Sequence, residues 1–549
     1  MMRTLLRCCL AILLVAAGCA AKVPPAPVTG GSPRLVVVLI VDGLPERQVV
    51  DYRDQLSPDG LERFFTRGAW FTNAFYGYSY TVTGPAHATI LTGAYPHRTG
   101  IISNEWIDPV TGEATYCAGD PGATYIGRKS SRMEGTSPKN LRVESLGDVL
   151  KARDPRSRVI GISAKDRGAI LPAGRSGTAY MYQARTGEMV STTYYMREHP
   201  RWVDEFNASK PADRYFGVEW KPMLDDSAYG KSLPDERKWY ARGGKLPKKM
   251  GEGQEKPGPA FYAEILATPF SDDLLFAFAR AAIAGEKLGH GASPDILAIS
   301  LSAHDYINHA WGAESRLSQD HVLQLDRMIA DFFNDLDQEV GRENYVAVLT
   351  ADHGFMPAPE FSQSLGRDAG RVNAAQVSAR VNAALAKSFG EGAWLGPWSA
   401  HGVILNHALI QAKGVDGAAL ANEARKLIAA EPGIAVAYTR AELESGSAKG
   451  KPLFDAMEKS FDRERSADIV VCLKPYWMFG PPPGTTHGSP YDYDTNVPLL
   501  FYGPPWILPG RIDTRVEVVD IAPTLARLLR IAAPAASEGK VLPLDLTGR

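Results

Sequence analysis

Seven consecutive apolar residues, Leu35–Val41, five of them β-branched, are followed at once by Asp42-Gly43. A half-exposed strand would alternate, so an unbroken run of this kind suits a strand buried on both faces of a parallel sheet. Three more runs repeat the pattern: Val159–Ser163, residues 296–301 and Tyr345–Thr350. Each is followed within a few residues by charged or imidazole side chains. An α/β fold with ligands at the carboxyl ends of its central strands is therefore expected. Asp42 by itself would fit a loop-capping role equally well; recurrence gives it weight.

After the second run come Lys165 and Arg167, two positions apart. In an extended segment they would share a face and reach one anion; in isolation they would also suit a basic turn paired with Asp166. The third run leads into His304-Asp305-Tyr306-Ile307-Asn308-His309. In a helix, Asp305 and His309 lie on one face and can grip a single metal ion. His304 and Asn308 have the same spacing, so register leaves the face open, and acid plus imidazole is the chemically better pair. After the fourth run stands Asp352-His353-Gly354, and a third strand ending in ligand types is stronger evidence than one. His487 follows the stiff loop Pro481-Pro482-Pro483-Gly484, where no core role accounts for it.

Between the first two runs lies Thr83-Gly84-Pro85-Ala86-His87. Pro85 fits the first turn of a helix, where its missing N–H costs nothing, and residues 86–91 can continue as a buried helix. Thr83 then stands beside a helix N-terminus, where free N–H groups and the macrodipole favour a phosphate. Its hydroxyl is the candidate nucleophile, and it needs a base or a metal to act at neutral pH. Alone, the stretch reads as an ordinary N-cap threonine. The amide of Asn104 is placed to donate to a phosphoryl oxygen, or to serve a turn.

The 549 residues allow one large domain with insertions or a few smaller units. With 60 Lys plus Arg against 62 Asp plus Glu, the net charge of -2 points to no nucleic-acid partner, so a phosphate site must be local. Residues 1–18 are expected to be an export signal: Arg3 and Arg7, an apolar core from Leu10 to Val15, then Ala16-Ala17-Gly18-Cys19, too short to span a bilayer. The small residues before Cys19 resemble a bacterial lipobox, which implies a lipid on its thiol; cleavage by the ordinary signal peptidase is the alternative. Either way the destination is the periplasm or a membrane-anchored lipoprotein, with residues 19–33 as tether and 34–549 as folded body. Only Cys117 and Cys472 remain in that body, and whether they pair stays open. Residues 171–288 change character and read as an insertion. Residues 399–473 read as a small α/β subdomain, and residues 319–340 as a helix with the apolar stripe Val322, Leu325, Ile329, Phe332 and Leu336.

Taken in order, Val41-Asp42-Gly43, Thr83-Gly84-Pro85-Ala86-His87, Asn104, Lys165-Asp166-Arg167, Asp305 with His309, Asp352-His353-Gly354 and His487 resemble the alkaline phosphatase superfamily. Within it they resemble the threonine-nucleophile alkaline phosphatases, the PafA or PhoK type. The resemblance runs from Leu35 to the final helix. It implies a mostly parallel central sheet flanked by helices on both faces, with inserted cap or subdomain segments. It also implies two zinc ions, one held by Asp42, Asp352, His353 and Thr83, the other by Asp305, His309 and His487. Hydrolysis of small-molecule phosphate monoesters through a phosphothreonine at Thr83 would follow, with Asn104, Lys165 and Arg167 holding the non-bridging oxygens. Sulfatases need Cys or Ser in a Cys/Ser-x-Pro-x-Arg pattern, which Thr83 to His87 lacks. Nucleotide pyrophosphatase/phosphodiesterases share the threonine, the asparagine and the six ligands but lack the Lys-x-Arg pair, so Lys165 and Arg167 favour monoesters. A diesterase on the same machinery is the alternative, and an inactive lipid-anchored binding protein a remote one.

Overall fold

The computed structural model describes residues 31–127 and 135–544. The expected export signal and Cys19 lie outside them. Leu35–Val41 forms the middle of a nine-stranded sheet, and all seven of its residues are buried. It pairs in parallel with Asp295–Leu301 on one side and Tyr345–Thr350 on the other. Val159–Ser163 and then Thr178–Gln183 extend the parallel core. Antiparallel pairs follow on either side, Leu499–Tyr502 against Tyr345–Thr350, Ala69–Phe71 against Leu499–Tyr502, and Glu188–Val190 against Thr178–Gln183, and Gly510–Ile512 closes one edge in parallel with Ala69–Phe71.

The register sets up the site. Ile40 lies opposite both Ser300 and Thr350, and Ser300 lies opposite Ser163, so four strands end level and the chain leaves each along one edge. This is the crevice where open α/β sheets place their ligands. Two groups of helices cover the sheet, one containing Thr83–Thr92, Asp166–Ala173 and Ile521–Leu529, the other Pro269–Glu286 and Arg316–Leu336. The last of these differs from the expected span of 319–340. It starts at Arg316 because the Ser315 side chain accepts from Ser318 N–H, and it gives way to a π-turn over Asp337–Gly341. Its predicted apolar stripe is fully buried.

Within residues 171–288, two strands join the main sheet and Pro269–Glu286 packs on it. The stretch between them is largely irregular. It is pinned by buried Asp320, which accepts from Trp220 Nε1 and Met223 N at 2.6 Å each and from the Tyr229 hydroxyl. Trp220, Tyr240 and Leu246 then pack with Ile307 and Trp311, covering the helix that carries Asp305 and His309. A second unit has its own antiparallel sheet, in the order Leu395–Ser399, Gly402–Leu405, Ile469–Leu473 and Ile434–Thr439. Helices Ala374–Phe389 and Gly417–Ala429 pack on each other to close its core. Cys117 and Cys472 are both buried and unpaired, in different hydrophobic clusters.

Candidate active site

Asp42 is the first residue beyond the central strand, and Gly43 turns the chain with φ of +76°. A Cβ at Gly43 would meet the Asp305 backbone and side chain at 3.1–3.3 Å, so only glycine permits this approach. The Gly43 N–H donates to Asp352 Oδ1 at 3.0 Å. One turn thereby draws the ends of three strands together.

Asp305 and His309 lie on the helix Ala303–Trp311, with His309 Nε2 3.3 Å from Asp305 Oδ1. His304 and Asn308 take the other face: His304 Nε2 bonds Gln48 Oε1 at 2.8 Å, and the Asn308 amide donates to the Gly43 carbonyl at 3.0 Å. Of the two faces left open by register, the acid–imidazole pair is the one turned toward the other candidate ligands. His353 Nε2 lies 3.3 Å from Asp352 Oδ2 and 3.5 Å from Asp42 Oδ1. His487 Nε2 lies 3.6 Å from Asp305 Oδ1, and its ring stacks on His353 at 3.4 Å between centroids.

The three imidazoles share one device. Nδ1 of His309 bonds the Thr485 carbonyl, Nδ1 of His353 the Gly354 carbonyl and Nδ1 of His487 the Thr81 carbonyl, each at 2.9 Å. A carbonyl only accepts, so each Nδ1 carries the proton and each Nε2 lone pair faces carboxylate oxygens. Acceptors facing acceptors favour a cation between them. Consistently, Asp42 Oδ1, Asp305 Oδ1, Asp352 Oδ2 and His353 Nε2 are buried without a hydrogen-bond partner, and Asp42 Oδ2 meets only the Lys165 ammonium. Two sets of donor atoms converge closely enough for one ion each: Asp305, His309 and His487, and Asp42, Asp305 and His353. Their nitrogen and oxygen chemistry fits zinc-like divalent ions. Asp305 belongs to both sets, while Asp352 stays in contact with His353.

Electrostatics follow from this crowding. Burial, with Asp42 beside it, pushes the Asp352 carboxyl well up. Burial acts the same way on Asp305, but His309 and Lys165 outweigh it and hold that carboxyl well down. Burial lowers His353 to about 4 and, with His353 adjacent, lowers His487 far below the usual range. Both rings are thus neutral at physiological pH, the form a metal needs. Burial also lowers His309, yet the Asp305 charge prevails and raises it. Lys165 Nζ sits 2.7 Å from Asp42 Oδ2 and 2.5 Å from Asp305 Oδ2, and these charges raise it against the effect of burial.

The expectation that Lys165 and Arg167 share an extended segment is corrected here. A helix begins at Asp166, leaving Lys165 extended as its N-cap and Arg167 in the first turn. Arg167 donates to the Tyr116 hydroxyl at 3.3 Å, Tyr116 is bound in turn to Asp166, and Arg167 Nε is buried without a partner.

Thr83 is the first residue of its helix and is buried. The Gly84 N–H donates to Asn104 Oδ1 at 2.6 Å, which fixes the orientation of that amide and frees its NH2 group for an anion. A Cβ at Gly84 would stand 3.1 Å from Asn104 Oδ1, Cys117 Sγ and the Ser103 carbonyl, so glycine here sets the distance between Thr83 and Asn104. His87, quoted in the sequence motif without a role, bridges the Thr83 carbonyl and Ser300 Oγ at 2.8 Å each and lies 3.4 Å from Asp352 Oδ2. Its four-residue spacing from Thr83 on a helix was the available signal. A cavity of about 370 Å³ adjoins Asn104, His309 and His487 and is walled by the inserted unit through His401 and Phe479.

The description "type I phosphodiesterase / nucleotide pyrophosphatase" belongs to the family model that matches residues 36–494. A protein named calcium-transporting ATPase from Myroides odoratus is 34% identical over 516 residues, 92% of this chain and 93% of that protein. Alkaline phosphatase PhoV of Synechococcus elongatus is 32% identical over 535 residues, 95% of this chain and 95% of that protein. The crystal structure of alkaline phosphatase PafA matches with a TM-score of 0.87 at 29% identity, covering 93% of this chain and 99% of that one. The chain belongs to the type I phosphodiesterase / nucleotide pyrophosphatase family and has the alkaline phosphatase fold. Among the described residues no helix is long and apolar enough to cross a membrane.

Proposed function

We propose that this chain is an alkaline phosphatase that hydrolyses small-molecule phosphate monoesters through a phosphothreonine at Thr83. The observation that carries this reading is the position of Thr83, at the head of a buried helix whose His87 touches the same cluster of unpartnered carboxylates and imidazoles. Asp42, Asp352 and His353, with Thr83, would hold one zinc ion, and Asp305, His309 and His487 the other. Such ions, when bound, neutralise phosphoryl charge and lower the pKa of hydroxyl groups beside them.

The chain's own groups do the rest. Thr83 Oγ forms a bond to phosphorus and loses its proton while the ester P–O bond breaks and the alcohol departs with a proton. Water then attacks the phosphothreonine, restoring the Thr83 hydroxyl and releasing inorganic phosphate. The freed NH2 of Asn104 and the guanidinium of Arg167 steady the non-bridging oxygens, and Lys165 adds positive charge from its place beside Asp42 and Asp305. A diester specificity on the same residues is the second reading, favoured by the family's description and by Lys165 being engaged with two carboxylates. Export under residues 1–18, with or without a lipid on Cys19, belongs to the same proposal, and the intact mass of the mature protein distinguishes the two.

Acid quenching during turnover of a 32P-labelled monoester tests the covalent step. Label on Thr83, absent in Thr83→Ala together with a loss of at least ~10³-fold in phosphate release, is the expected result. Undiminished turnover in Thr83→Ala would refute it.

A further inference from the structure

The cavity beside Asn104, His309 and His487 has a wall that phosphoryl transfer leaves unused. Ala400 and His401 are the central residues of the hairpin joining Leu395–Ser399 to Gly402–Leu405, with φ of +42° and +60°. Two left-handed residues are what such a turn demands, and Asn-Gly is the usual solution. Ala-His is a disfavoured one, which turns attention to what the His401 side chain does. Its ring lies 3.5 Å from that of Tyr80 and 6.3 Å from that of Phe479. Tyr80 stands three residues before Thr83, so this hairpin tip from the inserted unit reaches the approach to the nucleophile. Burial pushes the His401 imidazole down to about 3, leaving a neutral ring at working pH. Met356, Trp477 and Met478 extend this apolar wall, Thr486, Ser489 and Asp494 form a polar one, and among the described residues no Lys or Arg lines the cavity. A polyanionic leaving group would find no counter-charge there; a flat apolar one finds aromatic and thioether partners.

We propose that Tyr80 and His401 form a leaving-group subsite that takes the uncharged aromatic body of an aryl phosphate. The inference rests on the monoester reading above and goes beyond it in naming the alcohol. The test compares kcat/KM for phenyl phosphate and methyl phosphate in the metal-loaded enzyme and in His401→Asn and Tyr80→Leu. Asparagine tolerates the left-handed backbone, so His401→Asn removes the ring and keeps the turn. Phenyl phosphate should lose about 5–10-fold, mostly in KM, while methyl phosphate and inhibition by inorganic phosphate stay within about two-fold. Equal losses on both esters, or no loss on either, overturn the subsite. If the parent enzyme turns over neither ester, the monoester reading fails instead. Calorimetric binding of phenylphosphonate then decides the subsite: weaker binding in His401→Asn supports it and unchanged binding overturns it.

Discussion

On the proposed mechanism Arg167 and Asn104 would hold the phosphoryl group from different elements, and the loss of Arg167 should depend on the substrate's charge. Arg167→Ala is expected to lower monoester kcat/KM by about 10²-fold and diester turnover little, since a diester has one fewer charged oxygen to hold. Equal loss on both would remove Arg167 from that role. Glu46 supplies a prediction about pH. Burial raises its carboxyl to about 7, with the Trp70 indole N–H at 2.8 Å opposing only in part. The folded state then holds a proton that the unfolded chain releases near 4.5, so stability falls as pH rises from about 4.5 to 7 and stays lower above that. Glu46→Gln should abolish this slope, worth up to about 3 kcal/mol in denaturation midpoints compared between pH 4 and 8. At this scale the ligand types were legible, because Asp42, Asp305, Asp352 and His353 each follow an apolar run. The carbonyls of Thr81, Gly354 and Thr485 that orient the imidazoles were not, because every residue has a carbonyl and only the folded chain selects these three.

One helix, Ala303–Trp311, carries Asp305 and His309, and a buried circuit holds it to the Asp42 turn. Gln48 Nε2 donates to the Ala313 carbonyl and Ser318 Oγ at 2.7 Å each, Ser318 donates to Asn308 Oδ1 at 2.7 Å, and Asn308 donates to the Gly43 carbonyl. Because the Gln48 amide nitrogen donates, its oxygen accepts from His304 Nε2–H, so His304 Nδ1 accepts from His321 Nδ1, 3.1 Å away. His321 Nε2 then stands 3.2 Å from Asp272 Oδ2. Gln48→Leu should weaken metal retention by about 10–100-fold in chelator competition without touching a ligand. Retention equal to that of the parent protein would show the circuit to be incidental. From the sequence the helix and its i,i+4 pair could be read, whereas Gln48 and Gly43, which bind its other face, lie 256 and 265 positions from their partners and left no periodic trace.

At the scale of the molecule, the parallel core, the antiparallel return of Leu499–Tyr502 and the inserted unit cooperate to surround one edge of one sheet. The strands of that core announced themselves through unbroken apolar runs. Leu395–Ser399, with Gly, Pro and Trp inside it, did not, and neither did the reach of its hairpin to Tyr80. Chelator treatment should lower the melting temperature by roughly 5 °C or more, restored by zinc, because buried carboxylates and imidazole lone pairs would otherwise confront each other. No change would speak against resident ions. The most direct test of the whole account is the ratio of kcat/KM for an aryl phosphate monoester to that for its matched methyl diester, measured on protein of known metal content. About two zincs per chain with the monoester strongly preferred is the predicted result; diester preference at the same metal content would contradict it.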